Sequence, residues 1–265
     1  MPSLNEIAPT QLMRQLGGPD TLTLLDVRTD EDFAAAPLLL PTSRRLPHTD
    51  VGNHLATFSD TKVVVICHKG KKLSHGTAAL LRASGIAAEV LDGGFVAWQA
   101  ATLPLIPAQQ IPPPGTLWVT RHRPRIDRIA CPWLIRRFVD PTARFLFVPP
   151  SEVLDVADRF NAIAFDTPGA PWTHNGPNCT FDALIDGFSL GHDALNRLAS
   201  VVRAADTDTL DQSPQAAGLL AFSVGLSRLY KEDQNQLTAG LPLYDALYRW
   251  ARDGHGETHD HARVI

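Results

Sequence analysis

Short, dense runs of apolar residues punctuate the first hundred positions. Residues 21–27 (TLTLLDV), after a Gly-Gly-Pro-Asp turn, and 62–66 (KVVVI) read as buried strands, and 88–91 (AEVL) as a third. Near-continuous β-branched and apolar character is that of strands covered on both faces, as in a parallel sheet. Between the second and third runs, SHGTAALLRASG has helical spacing and ends at Gly85, where a left-handed C-cap belongs. After the third, Gly93 and Gly94 introduce a short helix carrying Trp98. Strands alternating with helices predict an α/β unit, a parallel sheet with helices on both faces.

The segment 104–115 (PLIPAQQIPPPG) holds five prolines and reads as an extended, semi-rigid spacer. Beyond it, strands are expected at 117–120, 144–148 and 162–165, with helices at 126–138 and 151–160, the latter capped by Ser151. A Pro- and Gly-rich loop follows at 166–178. The remainder is helical, at 181–188, 193–205, 214–230 and 237–252, with Ser213-Pro214 as a start signal. Strands first and helices afterwards predict a second, mostly helical α+β domain. The expected organisation is a first domain over 1–107, a linker over 108–115, a second domain over 116–254 and a disordered tail over 255–265, without internal repeats.

A length of 265 residues exceeds the roughly 100–200 of one domain. Composition adds little: 44% hydrophobic, 20% charged and a net charge of −4, values that point to neither nucleic acid nor an acidic membrane surface. No apolar run approaches the roughly 20 residues of a membrane span, and the N-terminus lacks the basic start and apolar core of a secretory signal, so the cytoplasm is expected. Three cysteines, Cys67, Cys131 and Cys179, do not make a disulfide framework.

Cys67 changes the picture. It ends the run KVVVI and opens the loop HKGKKL before a helix, and the carboxyl end of a parallel strand is where open α/β sheets place their sites. Backbone N–H groups at such a helix start, the helix dipole and Lys69, Lys71 and Lys72 all favour an anion, whether a nucleophilic thiolate or an anionic substrate. A buried, inert cysteine would not ordinarily sit at the root of three lysines and a glycine.

LLDVR, VVVICHKGKKLS and LDGGFVAWQAATLPL, in that order, resemble the rhodanese homology domain over roughly residues 5–106. The resemblance implies a sulfurtransferase. Cys67 would take a sulfane sulfur from a small anionic donor such as thiosulfate and pass it from a persulfide to a thiol or cyanide-like acceptor, with no cofactor required. It implies an anion cradle formed by His68, Lys69, Gly70, Lys71, Lys72, Leu73 and Ser74, and a bracing ion pair between Asp26 and Arg28. Two departures stand out. The family's loop places arginine five residues after the cysteine, where this chain has Lys72, and Leu73 intervenes before Ser74; PLLLPT at 37–42 replaces the usual Gly-His-Ile-Pro-Gly-Ala. Lysine lacks the bidentate fork, so oxyanion recognition should be looser. The arginine of the related Cys-x5-Arg phosphatases is absent, and phosphatase activity is not expected.

In the second half, WVTRHRPRIDRIACPWLIRRFVDPTARFLFVPPSEV, FDTPGAPWTHNGPNCTFDALI and ADTDTLDQSPQAAGLLAFSVGLSRLY resemble the C-terminal domain of the chromate-resistance (ChrB-type) family over roughly residues 116–252. That resemblance implies an accessory or regulatory part in chromate or oxidative-stress tolerance. Read directly, His174, Asp206 and Asp166 are candidate ligands for one divalent metal, with Cys179, Asp182, Asp208 and Asp211 nearby in sequence. The same groups could instead cap helices and close loops. Cys131 sits among apolar helix positions and reads as structural. The arginines at 121, 123, 125, 128, 136 and 137 form an uneven basic stripe, better suited to pairing with the domain's own acids than to nucleic acid. Two functions stay open: a rhodanese-like sulfurtransferase tied to chromate resistance, and an oxyanion sensor that binds chromate without turnover.

Overall fold

The computed structural model describes residues 5–19 and 22–257; most of the tail expected to be disordered, 258–265, lies outside the described residues, as does the first residue of the 21–27 run. The first unit contains β1 (Glu6–Ile7), α1 (Pro9–Gln15), β2 (Leu22–Asp26), α2 (Asp30–Ala35), β3 (Leu38–Leu39), β4 (Arg44–Arg45), β5 (Lys62–Ile66), α3 (Lys72–Ala83), β6 (Ala88–Leu91), α4 (Gly94–Ala100) and β7 (Ile106–Pro107). Five of these strands form one sheet in the order β1-β6-β5-β2-β4, parallel at every pairing. The alternation of side chains along a strand divides its residues between two cores. Leu25, Val63, Val65 and Val90 face α3, against Ala78 and Leu81. Leu24, Val64, Ile66 and Leu91 face the other way, into the larger core. Gly85 closes the α3 turn at φ +80°, the left-handed conformation expected of it.

The second unit contains β8 (Leu117–Arg121), α5 (Asp127–Leu134), β9 (Arg144–Val148), α6 (Val153–Phe160), β10 (Ile163–Ala164), α7 (Thr180–Gly187), α8 (Asp193–Asp206), α9 (Ala216–Leu229) and α10 (Asp233–Arg249). Its three strands pair in the order β10-β8-β9, also parallel throughout, and the helices from α7 onward make up the rest. Three helix starts differ from expectation, one of them α10, which begins at Asp233 rather than 237. Ser151 lies inside a 3-10 turn, Pro150–Glu152, and its hydroxyl bonds the Glu152 carboxylate rather than capping α6. Pro214 belongs to a turn and α9 begins at Ala216, because the Ser213 carbonyl takes the Ala216 N–H in a tighter loop. Small elements without a strong apolar period, β1, β3, β4, β7, α1 and α2, were not foreseen.

The proline-rich segment makes contacts at both of its ends. Ile106 and Pro107 pair antiparallel with β3, the Ala108 N–H donates to the Pro37 carbonyl, and a 3-10 turn follows at Ala108–Gln110. The Gly115 N–H then reaches the Asp140 carboxylate at 2.7 Å, so the segment is fastened to both halves. The halves also share one apolar core, running from Leu12, Leu16, Leu40 and Trp98 to Trp118, Phe138 and Tyr248. Thr42 donates its N–H to the Phe138 carbonyl, and Arg252 bonds the Arg14 carbonyl. No helix among the described residues is long and apolar enough to cross a membrane.

Gly17 is the closest point of this joint. At φ +76°, a Cβ there would stand 2.4 Å from Tyr248 Cε1 and 2.7 Å from Phe138 Cζ. Gly17→Ala should therefore cost about 2–3 kcal/mol in urea denaturation, through overpacking and a left-handed backbone. Gly76→Ala, in the middle of α3 with nothing within 4 Å of the new methyl, should instead gain up to about 1 kcal/mol. Equal effects at the two positions would mean that the joint is loosely packed.

Candidate functional sites

Cys67 stands at the carboxyl end of the central strand β5, buried at its root, with α3 beginning five residues later. Its Sγ accepts the Lys71 N–H at 3.2 Å and lies 3.1 Å from Ser74 Oγ, which in turn donates to the Lys71 carbonyl. Among the described residues, no partner is found for the N–H groups of His68, Lys69, Gly70, Lys72 and Leu73. Lys69, Lys71 and Lys72 are exposed around this rim, and the buried Nδ1 of His68 is unpaired. The loop thus offers amide donors and positive charge to a small anion beside a sulfur nucleophile.

Two glycines make the loop possible. Gly70, at φ +63°, turns the chain under β6, where a Cβ would meet the Leu91 carbonyl at 2.7 Å. Gly94, at φ +62°, presses against the loop from behind, where a Cβ would lie 2.2 Å from the Cys67 carbonyl. This approach lets the Phe95 and Val96 N–H groups hold the carbonyls of Cys67 and His68, both at 3.0 Å.

Asp26 and Arg28 do not touch the cradle. They form a fully buried pair, Nη2 to Oδ2 at 2.6 Å, and Arg28 also donates to the carbonyls of Ala36 and Leu38. The guanidinium stacks on Phe95 at 4.0 Å, so its bracing reaches the Cys67 loop through α4. Removing one partner of such a pair leaves a buried charge uncompensated.

The second cluster lies at the same edge of the other parallel sheet. Asp166 follows β10 and Asp127 opens α5 after β8, while His174 and Asp206 arrive from the Pro/Gly loop and the end of α8. Nε2 of His174 is 3.1 Å from Asp206, 3.5 Å from Asp166 and 3.6 Å from Asp127. All three predicted candidates therefore meet, together with Asp127, which the sequence reading missed. Ile126 before it takes φ +42°, unusual for a β-branched residue, held by Ser223 on its N–H and Tyr244 on its carbonyl.

Burial, then repulsion from Asp206 and Asp166, holds the Asp127 carboxyl well above the usual carboxylate range. Asp206 is raised by burial and by Asp166, against the lowering influence of His174. Asp166 is tied differently: Arg121 and Arg128 reach its Oδ2 at 2.9 and 3.2 Å, and Thr180 donates to Oδ1. Of the other sequence candidates, Cys179 stands beside Asp127, its side chain in hydrogen-bond contact with that carboxyl. Asp182 caps α7 through the Cys179 N–H and pairs with Arg203, and burial pushes the thiols of Cys179 and Cys131 up. The arginine stripe is largely consumed internally, with Arg123 on the Ser227 and Tyr230 carbonyls, Arg136 on the Ala143 carbonyl and Arg137 on Asp245.

Comparison with known proteins assigns both halves. Residues 8–101 match the profile of the rhodanese-like domain, and residues 118–251 match that of the ChrB C-terminal domain. Protein ChrB of Cupriavidus metallidurans is 35% identical over 135 residues, which are 51% of this chain and 40% of that protein. YtwF of Bacillus subtilis, named for a sulfurtransferase activity, is 28% identical over 102 residues, 38% of this chain and 96% of its own. Among solved structures, a Staphylococcus aureus rhodanese-like domain protein is 27% identical with a TM-score of 0.33, over 36% of this chain and 91% of that one. A Pseudomonas aeruginosa thiosulfate sulfurtransferase is 28% identical with a TM-score of 0.35, over 39% of this chain and 19% of that one. The chain thus spans less than half the length of the ChrB relative and nearly all of the YtwF relative. It belongs to the ChrB C-terminal domain family, and carries that domain behind a rhodanese-like one.

Proposed function

We propose that the chain is a sulfurtransferase that works through a persulfide on Cys67 and serves chromate resistance. The observation that supports this most is the surroundings of Sγ: one amide already on the sulfur, the Ser74 hydroxyl oxygen beside it, and further unclaimed amides on the same loop. In the reaction, the Cys67 thiolate attacks the outer sulfur of thiosulfate, the S–S bond breaks and sulfite leaves with the electron pair. A thiol or cyanide then attacks the terminal persulfide sulfur and the thiolate returns. Loop amides hold the negative charge of donor and persulfide in turn, as an oxyanion hole does. No metal or organic cofactor enters these steps.

The experiment is thiosulfate treatment of the full chain followed by mass spectrometry and a cyanide turnover assay. One sulfur should be added to the peptide containing Cys67, with repeated turnover. Cys67→Ser should lose both while melting as the parent does. Binding of thiosulfate or chromate without persulfide or turnover would make the cradle an oxyanion receptor, and the chain a sensor.

Lys72 holds the place of the family's arginine, at the exposed first position of α3. Lys72→Met should raise the thiosulfate KM about five-fold, the size expected of one partly screened charge contact. Lys72→Arg should lower it, because the guanidinium supplies two donors. An unchanged KM in both variants would put the donor elsewhere.

A further inference from the structure

Three carboxylates converge on a single imidazole nitrogen in the second unit, more acceptors than one N–H can serve. Asp206 lies within hydrogen-bond distance of Nε2, while Asp166 and Asp127 stand at 3.5 and 3.6 Å. Asp127 is 1% exposed, and its Oδ2 takes the Thr180 N–H at 2.6 Å. Its Oδ1 is buried with no hydrogen-bond partner among the described residues. An orphaned carboxylate oxygen in an interior is costly, so a partner of positive charge is called for.

Charge and spacing identify that partner. Ligand atoms about 2.1 Å from one metal lie about 3.0 Å apart when adjacent in an octahedron and about 3.4 Å apart in a tetrahedron. The His174–Asp206 separation of 3.1 Å falls in that range and the His174–Asp127 Oδ2 separation of 3.6 Å lies just beyond it, and one ligand atom each from Asp127, His174 and Asp206 lie within 4.8 Å of one another. Asp166 is neutralised separately by Arg121 and Arg128. The remaining two carboxylates balance a double positive charge.

We propose that Asp127, His174 and Asp206 bind one divalent transition-metal ion of the zinc, manganese or ferrous class, with Asp166 orienting the set from beside it. The donors are one imidazole and carboxylates with no thiolate, a mixture that suits these ions better than Cu(I). Three protein ligands leave at least one position open to water or an anion. His174 is 40% exposed, so the cluster is open to solvent on the side of its imidazole. The site is independent of the sulfur chemistry at Cys67.

The test uses the full chain, stripped with chelator and titrated calorimetrically with Zn2+ and, separately, Mn2+. One equivalent of at least one ion should bind saturably and raise the thermal midpoint. His174→Ala and Asp206→Asn should each weaken binding tenfold or more and abolish the thermal shift; His174 is exposed enough for its variant to fold. Asp127→Asn adds a check where it folds, read by the same titration. Absence of saturable binding of both ions would overturn the assignment. So would undiminished binding in the His174 and Asp206 variants, which would put the ion elsewhere, such as at Cys67 or the tail histidines His255, His259 and His261.

Discussion

Parallel pairing forces every strand of a sheet to finish at the same edge, and each must then cross over before the next begins. That edge collects strand ends, loops and helix N-termini, and no backbone ladder covers it. The five-stranded and three-stranded sheets are each parallel at every pairing, so each has one such edge. Cys67 stands on one, at the end of β5; Asp127 and Asp166 stand on the other, after β8 and β10. The chemistry of the chain depends on this constraint more than on any single contact, because it brings together residues far apart in sequence.

What differs between the edges is how the helix N-terminal amides are used. At α3, the Lys71 N–H faces the thiol sulfur and its neighbours are unclaimed, so the loop attracts anions. At the second edge, carboxylates have taken the corresponding donors. Asp127 accepts the first N–H of α7, from Thr180, and the Asp127 N–H bonds the Asp206 carboxylate. The helix dipole is already answered there, and the surplus of oxygen lone pairs faces inward. On the readings proposed above, one topology serves an anion in the first unit and a cation in the second.

Much of this was legible from residue order. Strands β5, β6 and β9 carry enough β-branched and apolar residues to be read directly, and the glycine after α3 marks its end. Cys67 was legible because a cysteine, a glycine and three lysines at one strand end have few bland explanations. Asp127 was not. It sits between Ile126 and Arg128 in a stretch that reads as an amphipathic helix with a basic stripe, and nothing local says that its carboxylate is buried. Had the second sheet been taken as parallel, the rule that picked out Cys67 would have picked out Asp127 as well. The short strands β8 and β10 and the run of helices after them hid that, since strands followed by helices read more simply as α+β. The proline-rich segment carries contacts that its composition alone does not announce. Proline does not bar an edge strand of two residues, and Ile106 within the segment had a core to enter.

The joint between the units bears on the reactive loop. One face of the first sheet, with Ile66 immediately before Cys67, is packed in the same core as the second unit's aromatic residues. On the loop's other side, α4 holds the Cys67 and His68 carbonyls, and Arg28 fixes α4 through Phe95. The sulfur is thus held between a strand anchored in the shared core and a helix anchored by a buried ion pair, and neither can shift without the other. Rigid support of this kind would, for the proposed transfer, keep the amides directed at the place where negative charge develops. It also means that the ChrB-type half supports the geometry of the rhodanese-like half from beneath.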